Sequence, residues 1–518
     1  MFMLYFSLTF CKISHMKKNA KTFHYSCISI CFCTGVAFSI IAFIATTIDL
    51  NIYLGPFLVV LAVFFFTLFN SLVFKRFGRI IFALLAGILF GALRTAQINT
   101  DRLSVSDLIG KKQDIEVVIS NTPTFKNDSW RLESDSLSID GRQIHFFSYI
   151  SLPAQDITLE TGDKLILRAT PSAGFGKYSL SISRPEVLLL SKPDPPSLFL
   201  RLRNWFSSEL EQIFGVQNRD ELALALGYLT GQKTFLSDEL STKLKIVGLS
   251  HVIVASGFHL GIIVNLAKRC FGKLSRFGAF FAALFAIACF VSIVGLSASM
   301  LRAALICGIS LWAWYFGRKI HPARLLLFAA AISLSLNPLY ALDIAWQLSF
   351  ASFAGLLLLA PLIKEFFYGS EKPGFIAESL IQSCCAQLCC LPLSIYTFGS
   401  FSMIGLISNL LIPPSIPLAM LLCLLAVLFS PVRGLGDLIS FVAIQLLHFH
   451  VFVIEKLSSL KFGFIELKSG EPATLLLFLI PIALFAFLKL RTKYDFRPLF
   501  VKPPLLEKSQ KYGRIYSC

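Results

Sequence analysis

Gly248-Leu-Ser-His-Val-Ile-Val-Ala-Ser-Gly-Phe-His-Leu-Gly261 is apolar enough to enter a bilayer, yet it holds two histidines, two serines and three glycines. In hydrocarbon an unpaired hydroxyl or imidazole costs several kcal/mol, and glycines weaken the helix that would satisfy the backbone. Such a segment is stable only where protein or water faces it. It therefore reads as the lining of a pathway within a polytopic membrane protein.

The whole chain agrees. Of its 518 residues 55% are hydrophobic, 51 are phenylalanine and 15% are charged, which excludes an ordinary soluble domain. The net charge is +17, but Asn99 to Ser197 carries 11 Lys/Arg against 13 Asp/Glu. The basic excess thus lies in the hydrophobic parts and their short loops, as the positive-inside rule requires. Attraction to a polyanion would give the same balance, so charge alone does not establish nucleic-acid binding. Of 13 cysteines none falls between Asn99 and Ser197, and no disulfide framework is implied. Cys384, Cys385, Cys389 and Cys390 lack a nearby charge to stabilise thiolates and read as small packing residues. His448-Phe-His450 lacks the acidic and further histidine neighbours of a hydrolase metal site, so no metal and no cofactor is expected.

Windows of about 20 apolar residues place three spans first, at Cys27–Ile48, Ile52–Phe74 and Ile80–Ile98. Lys12, Lys17, Lys18 and Lys21 precede the first, and Lys75, Arg76 and Arg79 separate the second from the third. The N-terminus is therefore expected inside and the chain outside near Asn99. Met1 to Cys11 is apolar but too short to span; it reads as an interfacial stub, or as the product of a start placed before the true one at Met16.

From Gly110 to Leu190 the pattern changes to short runs of period two: Ile115–Ile119, Trp130–Ser134, Ser136–Asp140, Gln143–Phe147, Lys164–Arg168 and Tyr178–Ile182. Breaks at Asp140-Gly141, Gly162-Asp163 and Gly174 separate them. Five or six short strands in about 80 residues suit an OB-like Greek-key barrel, a fold whose open face binds single strands or sugars. Phe125, Trp130, Phe146, Phe147, Tyr149, Phe175 and Tyr178 serve either as barrel core or as stacking platforms. The near-neutral charge argues against strong DNA binding by this domain alone. Ser191-Lys-Pro-Asp-Pro-Pro196 is a stiff linker, and Leu198–Phe214 and Glu221–Leu229 are amphipathic stretches suited to the outer interface.

Nine further spans follow, at Ile246–Leu266, Phe277–Leu296, Met300–Phe316, Ala323–Leu336, Tyr340–Ile363, Ala377–Phe398, Phe401–Phe429, Leu435–Ile454 and Ala473–Leu488. Alternation puts Lys268, Arg269, Lys273 and Arg276, then Arg318, Lys319 and Arg324, then Lys364 and Lys372, then Arg433, and finally Arg491, Lys493 and Arg497 inside. Pro413, Pro414 and Pro417 mark Phe401–Phe429 as a pair of half-helices or a single broken span. The expected fold class is a polytopic α-helical membrane protein of about 12 spans, with a small extracellular OB-like β-barrel domain inserted after the third. The expected divisions are 1–98 (cytoplasmic segment and three spans), 99–197 (β-domain and linker), 198–240 (interfacial helices), 241–490 (channel domain) and 491–518 (basic cytoplasmic tail).

Ala223-Leu-Ala-Leu-Gly227, Leu236-Ser-Asp-Glu-Leu, Gly248-Leu-Ser-His and Ala255-Ser-Gly-Phe-His-Leu-Gly261 occur in that order. Leu301-Arg-Ala303, Asn337-Pro338, Trp346-Gln-Leu-Ser-Phe350, Gln387 with Pro392, Phe398-Gly399 and Asn409-Leu410 with Pro413 follow. Together they resemble the ComEC-type competence family, strongly over Leu198 to Met420. The resemblance implies a channel in the bacterial cytoplasmic (inner) membrane that admits one strand of transforming DNA during natural transformation. An external DNA receptor and a cytoplasmic helicase-like motor are the implied partners, besides single-stranded DNA and membrane lipid. Many members carry a C-terminal metallo-β-lactamase-like domain; this chain resembles the form lacking it, shows no such motif, and is not expected to be an enzyme. Strand degradation is then expected of another protein. No Walker-type phosphate loop is present either.

The expected topology brings polar groups from separate helices to similar depths. Ser250 and His251 lie one turn below the outer mouth, with Arg302 and Asp343 near the outer ends of theirs. Ser256, His259, Gln347, Gln387 and Asn409 come deeper, His259 on the order of 20 Å in. These nine are the expected DNA-pathway residues: Arg302 would meet phosphates, Asp343 would hold Arg302, and neutral groups below would pass the strand without trapping it. A structural ion pair or interfacial snorkelling accounts equally for Arg302 and Asp343, and a sealed interhelical hydrogen bond is the alternative for each histidine. Gly257 and Gly261 form a Gly-x-x-x-Gly pair suited to helix packing. From other classes, an intramembrane serine hydrolase would use Ser256 as nucleophile and His259 or His251 as base, without a third orienting group. A transporter of a small solute or envelope component on the same fold is the other alternative.

Overall fold

The computed structural model describes residues 35–36, 85–93, 109–192 and 198–492, apart from short stretches within the last two ranges. The first two expected spans, most of the third, the leading Met1–Cys11 and the tail beyond 492 lie outside the described residues. The chain divides into two units, one of Met1–Ala96, Gly317–Ala341 and Thr492–Cys518, the other of Gln97–Phe316 and Leu342–Arg491.

In the larger unit, the alternating region folds into β1 (Gln113–Val118), β2 (Thr124–Lys126), β3 (Ser129–Ser134), β4 (Leu137–Ile139), β5 (Arg142–Ile144), β6 (Phe147–Pro153), β7 (Lys164–Ala169), β8 (Ser172–Ala173), β9 (Ser179–Ser183) and β10 (Glu186–Ser191). Period two does what it should: Ile115, Val117, Leu165 and Leu167 are fully buried while Glu116 and Lys164 between them form an ion pair outside. The strands do not close into the expected OB-like barrel. They form two five-stranded sheets, β10-β7-β1-β4-β5 and β2-β3-β6-β9-β8. The reason is the pairing of β6 with β9, which is parallel; the crossover it requires passes through β7 and divides the strands between two sheets. Ser134 at the end of β3 donates to the Val118 carbonyl of β1 at 3.2 Å and ties the sheets together.

The helical part begins with α1 (Leu198–Phe214), α2 (Arg219–Thr230) and α3 (Asp238–Ile246). The Leu236-Ser-Asp-Glu-Leu motif is the start of α3. Ser237 accepts from Leu240 N at 3.1 Å, with Asp238 and Glu239 in the first turn and Lys243 and Lys245 in the last. Cap and charges both suit the helix dipole. α2 is enclosed from Glu221 to Tyr228, packed in a core with Leu210 of α1, Leu244 of α3 and the later helices.

The quoted stretch contributes α4 (Ser250–Ile253) and α5 (Gly257–Gly272), and residues 254–256 between them lie outside the described residues. α6 (Arg276–Val294) and α7 (Ala298–Tyr315) pack with α5 through Leu260, Phe280, Ile287 and Met300. Lys268 and Arg276 both lie over the Trp314 ring, at 4.7 and 5.3 Å from its centroid. In the smaller unit α8 (Pro322–Leu336) buries Ala329, Ala330, Ala331 and Leu334.

α9 (Ile344–Ala354) runs through a π-helical turn at Gly355–Leu359 into α10 (Ala360–Tyr368). α11 (Phe375–Phe398) crosses it where Gly355 meets the Cys385 carbonyl so closely that a Cβ would lie 2.3 Å from it. Cys385 is fully buried there and Cys390 Sγ donates to the Leu348 carbonyl at 3.3 Å, which is a packing role. α12 (Gly405–Leu411), a 3-10 turn at Pro413–Ser415 and α13 (Ile416–Phe429) make the proline-broken span, since each proline lacks the N–H that would continue the ladder. α14 (Leu435–Ser458) and α15 (Leu479–Arg491) complete the chain. A short ribbon, β11 (Ser400–Ser402) with β12 (Phe464–Glu466), joins the loop before α12 to the loop after α14.

Among the described residues five helices are long and apolar enough to cross a membrane: Arg276–Val294, Ile344–Tyr368, Phe375–Phe398, Gly405–Phe429 and Leu435–Ser458. These five coincide with five of the nine later expected spans, while the three leading ones fall largely outside the described residues. α7 and α8 are apolar but shorter, and α5 and α15 each adjoin residues outside the described ones, at 254–256 and at 478.

Candidate pathway around the Gly248 crossing

The turn Ile246–Gly248 is the anchor. Ser402 Oγ donates to the Ile246 carbonyl at 2.5 Å and Ser408 Oγ to the Val247 carbonyl at 2.7 Å. Gly248, at φ +72°, sits so close to α12 that a Cβ on it would be 3.2 Å from the Gly405 Cα. Two carbonyls left over at the end of α3 are thus satisfied by hydroxyls from 156 and 161 residues away. On the other side of Gly405, Gln387 of α11 places Nε2 2.8 Å from where its Cβ would be. Three stretches that resembled the competence family separately, around Gly248, Gln387 and Asn409, therefore meet at one crossing.

Of the expected pathway residues, Ser250 and His251 are exposed at the start of α4, and His251 bonds the Gly248 backbone. Ser256 lies outside the described residues. His259 is fully buried, stacked on Tyr228 with ring centroids 5.8 Å apart. Asp343, Gln347, Gln387 and Asn409 are half-buried, and Asn409 Oδ1 has no hydrogen-bond partner among the described residues. Gly257 makes the close helix contact expected of it: a Cβ there would lie 3.0 Å from the Ala303 Cβ of α7. Gly261 does not, since a Cβ on it would meet nothing within 4 Å.

Arg302 is 5% exposed. Its guanidinium lies 5.7 Å from the Phe350 ring and 5.3 Å from the Phe353 ring, both on α9, and beside Gly257, where the absent side chain leaves it room. The expected ion pair with Asp343 is not made. Asp343 instead caps α9, accepting from Trp346 N at 3.0 Å; an aspartate just before a helix is held by the orphan N–H groups of the first turn. Among the described residues Arg302 Nε and Nη1 have no hydrogen-bond partner, and the contacts this cation makes there are with the faces of Phe350 and Phe353.

Sequence reasoning passed over Tyr228, His450 and Ser415. Tyr228 of α2 lies between two histidines, stacked on His259 and with its hydroxyl 3.4 Å from His450 Nδ1. His450 Nε2 in turn is 2.7 Å from Ser415 Oγ at the proline break. Two turns back along α2, Glu221 meets His448 Nδ1 at 2.9 Å. His448 and His450 were conspicuous in the sequence, but Glu221 and Tyr228 stand more than 200 residues from them and Ser415 stands 35 residues from His450.

Fold and site define a membrane protein with polar groups gathered around the crossing at Gly248. The family model described as Competence protein matches residues 228–492, and the chain belongs to that family. Over 200 residues it is 27% identical to ComE operon protein 3 of Bacillus subtilis (strain 168), a stretch covering 38% of this chain and 25% of that protein. The match thus spans a quarter of the relative's length. No solved structure matches the chain.

Proposed function

We propose that the protein is a conduit for single-stranded DNA across the bacterial cytoplasmic membrane in natural transformation, and that it catalyses no reaction itself. Membership of the competence family supports a part in DNA uptake; the observation that carries the finer reading is Arg302. A buried cation without a counterion is expensive, and it is kept where an anion visits. With Phe350 and Phe353 against it, the guanidinium can release one face to a phosphate while its other face stays on the rings. Gln387 and Asn409, near the Gly248 crossing, are neutral hydrogen-bonding groups that would pass a strand on without holding it, together with Ser250, His251, Ser256 and Gln347. His259 is a wall residue in this reading, fixed by its stack on Tyr228.

In this reading the termini are cytoplasmic and the β-sheets lie outside, where an external receptor would hand over DNA, while a helicase-like motor supplies force from within. The test is uptake of labelled DNA by cells carrying Arg302→Gln at normal protein abundance, beside a deletion strain. Uptake that falls at least tenfold in both supports the reading; unchanged uptake in the deletion strain sinks it.

A further inference from the structure

A cleft of about 440 Å³ opens between α3, the start of α4 and the ribbon strand β12, lined by Ser241, Thr242, Lys245, Ser250, Phe464 and Glu466. Thr242 Oγ1 is committed to its own helix, donating to the Asp238 carbonyl at 2.8 Å. The side chains of Ser241, Lys245, Ser250 and Glu466 make no hydrogen bond or ion pair among the described residues, whereas Lys243, which stands between Thr242 and Lys245 on α3 without lining the cleft, is engaged by Glu239 and Glu455 at 2.7 and 2.9 Å. Phe464 and Glu466 alternate along β12, opposite Ser402 and Ser400, and so share one face of the ribbon. The same ribbon carries Ser402, which fixes the Ile246 carbonyl, so the cleft is built on the crossing at Gly248 and its Ser250 begins α4.

We infer that this cleft is a receiving subsite for one nucleotide of a single DNA strand, placed immediately before the polar segment. Lys245 with Ser241 and Ser250 takes the phosphodiester, the Phe464 ring stacks on the base, and the Glu466 carboxylate accepts from an exocyclic amino group, which favours cytosine over thymine. A lone cation would serve any anion; the aromatic face and carboxylate beside it are what a nucleotide uses and a bare phosphate does not. The inference rests on the DNA-conduit reading above, and deepens it.

The experiment uses the full chain in phosphatidylcholine nanodiscs with three fluorescent probes: (dC)12, (dT)12 and a twelve-unit abasic oligomer. Phe464→Ala should weaken (dC)12 binding about tenfold and leave the abasic oligomer unaffected. Lys245→Gln should weaken all three, and Glu466→Gln should erase the preference for (dC)12 over (dT)12. Equal binding of (dC)12 by wild type, Phe464→Ala and Lys245→Gln overturns the subsite, even where the deletion strain has lost uptake and the conduit reading stands. Loss of retained phosphatidylglycerol in Lys245→Gln, with (dC)12 binding unchanged, would give the cleft to a lipid headgroup and overturn it equally.

Discussion

Gly248 and Gly405 touch backbone to backbone, with a Cβ on the first 3.2 Å from the Cα of the second. The contact locks the turn before α4 onto α12, and Ser402 and Ser408 bolt it there through two carbonyls. A polar, glycine-containing stretch that cannot hold a helix by itself is therefore positioned from outside, by residues on the far side of the sequence. That arrangement gives the pathway a fixed edge from which α4 and α5 depart.

The two glycines should respond differently to alanine. At Gly248 φ is +72° and the obstacle is backbone, so Gly248→Ala should cost about 1–2 kcal/mol from the left-handed conformation alone and more from the contact. At Gly405 the nearest obstacle is Gln387 Nε2, the free end of a flexible side chain, which can turn away. Thermal melting of the purified full chain in detergent should show a clear drop for Gly248→Ala and a small one for Gly405→Ala. The reverse order would mean that the crossing is not what holds the turn.

Arg302 offers a separation of stability from function. Methionine has similar reach, suits the Phe350 and Phe353 rings, and removes an unpaired buried charge, a change that is often neutral or stabilising. Arg302→Met should therefore melt at the same temperature as wild type or higher, while DNA uptake falls at least tenfold. A variant that melts several degrees lower and loses uptake in proportion to its abundance would make Arg302 a structural residue.

How far these features could be read in advance depends on the range over which they are decided. The proline break at Pro413, the packing role of Cys385 and the alternation of most strands rest on local chemistry, and each was legible; the Ser237 cap is equally local, but its stretch stood out only as a family resemblance, and Gln143–Phe147 straddles β5 and β6. The barrel was not, because alternation fixes which residues of β6 face inward but not that β6 will pair with β9 rather than with a strand that closes a ring. Asp343 was legible in principle: an acidic residue directly before a helical run is a capping signal, and depth in the membrane drew attention to Arg302 instead. α2 looked interfacial because Arg219, Asp220 and Glu221 open it, yet Glu221 is met by His448 of α14, a partner that no local pattern specifies.

In the β-sheets, Asp114 and Arg168 stand opposite each other on β1 and β7 and bond through two atoms each, at 2.7 and 2.9 Å. The Arg168 hydrogen bond holds the Asp114 carboxyl below its usual 3.8. A carboxyl depressed in the folded chain contributes stability that is complete above its unfolded pKa and is lost as pH falls through the lower folded value. Compared by hydrogen exchange at one pH, β1 and β7 of Asp114→Asn should therefore exchange faster than wild type at about pH 7 and no differently at about pH 2. Because the pair is exposed, about 1 M salt should shrink the difference at neutral pH. A difference that persists in acid would have to come from something other than this ion pair.

The stack of His259, Tyr228, His450 and Ser415 joins α5, α2, α14 and the proline break, and its contacts are unequal. The Tyr228 hydroxyl is 3.4 Å from His450 Nδ1, at the weak end of hydrogen bonding, whereas Ser415 Oγ to His450 Nε2 is 2.7 Å. Tyr228→Phe keeps the ring against His259 and should cost no more than about 1 kcal/mol, while Ser415→Ala leaves an imidazole nitrogen unmatched on a fully buried residue and should cost about 1–3 kcal/mol. Tyr228→Leu removes the stack as well and should be the most harmful of the three. Melting temperatures in the order Tyr228→Phe, Ser415→Ala, Tyr228→Leu, highest first, are expected. Should Tyr228→Phe prove as damaging as Tyr228→Leu, the hydroxyl and not the ring face would be what fixes His259 in the wall.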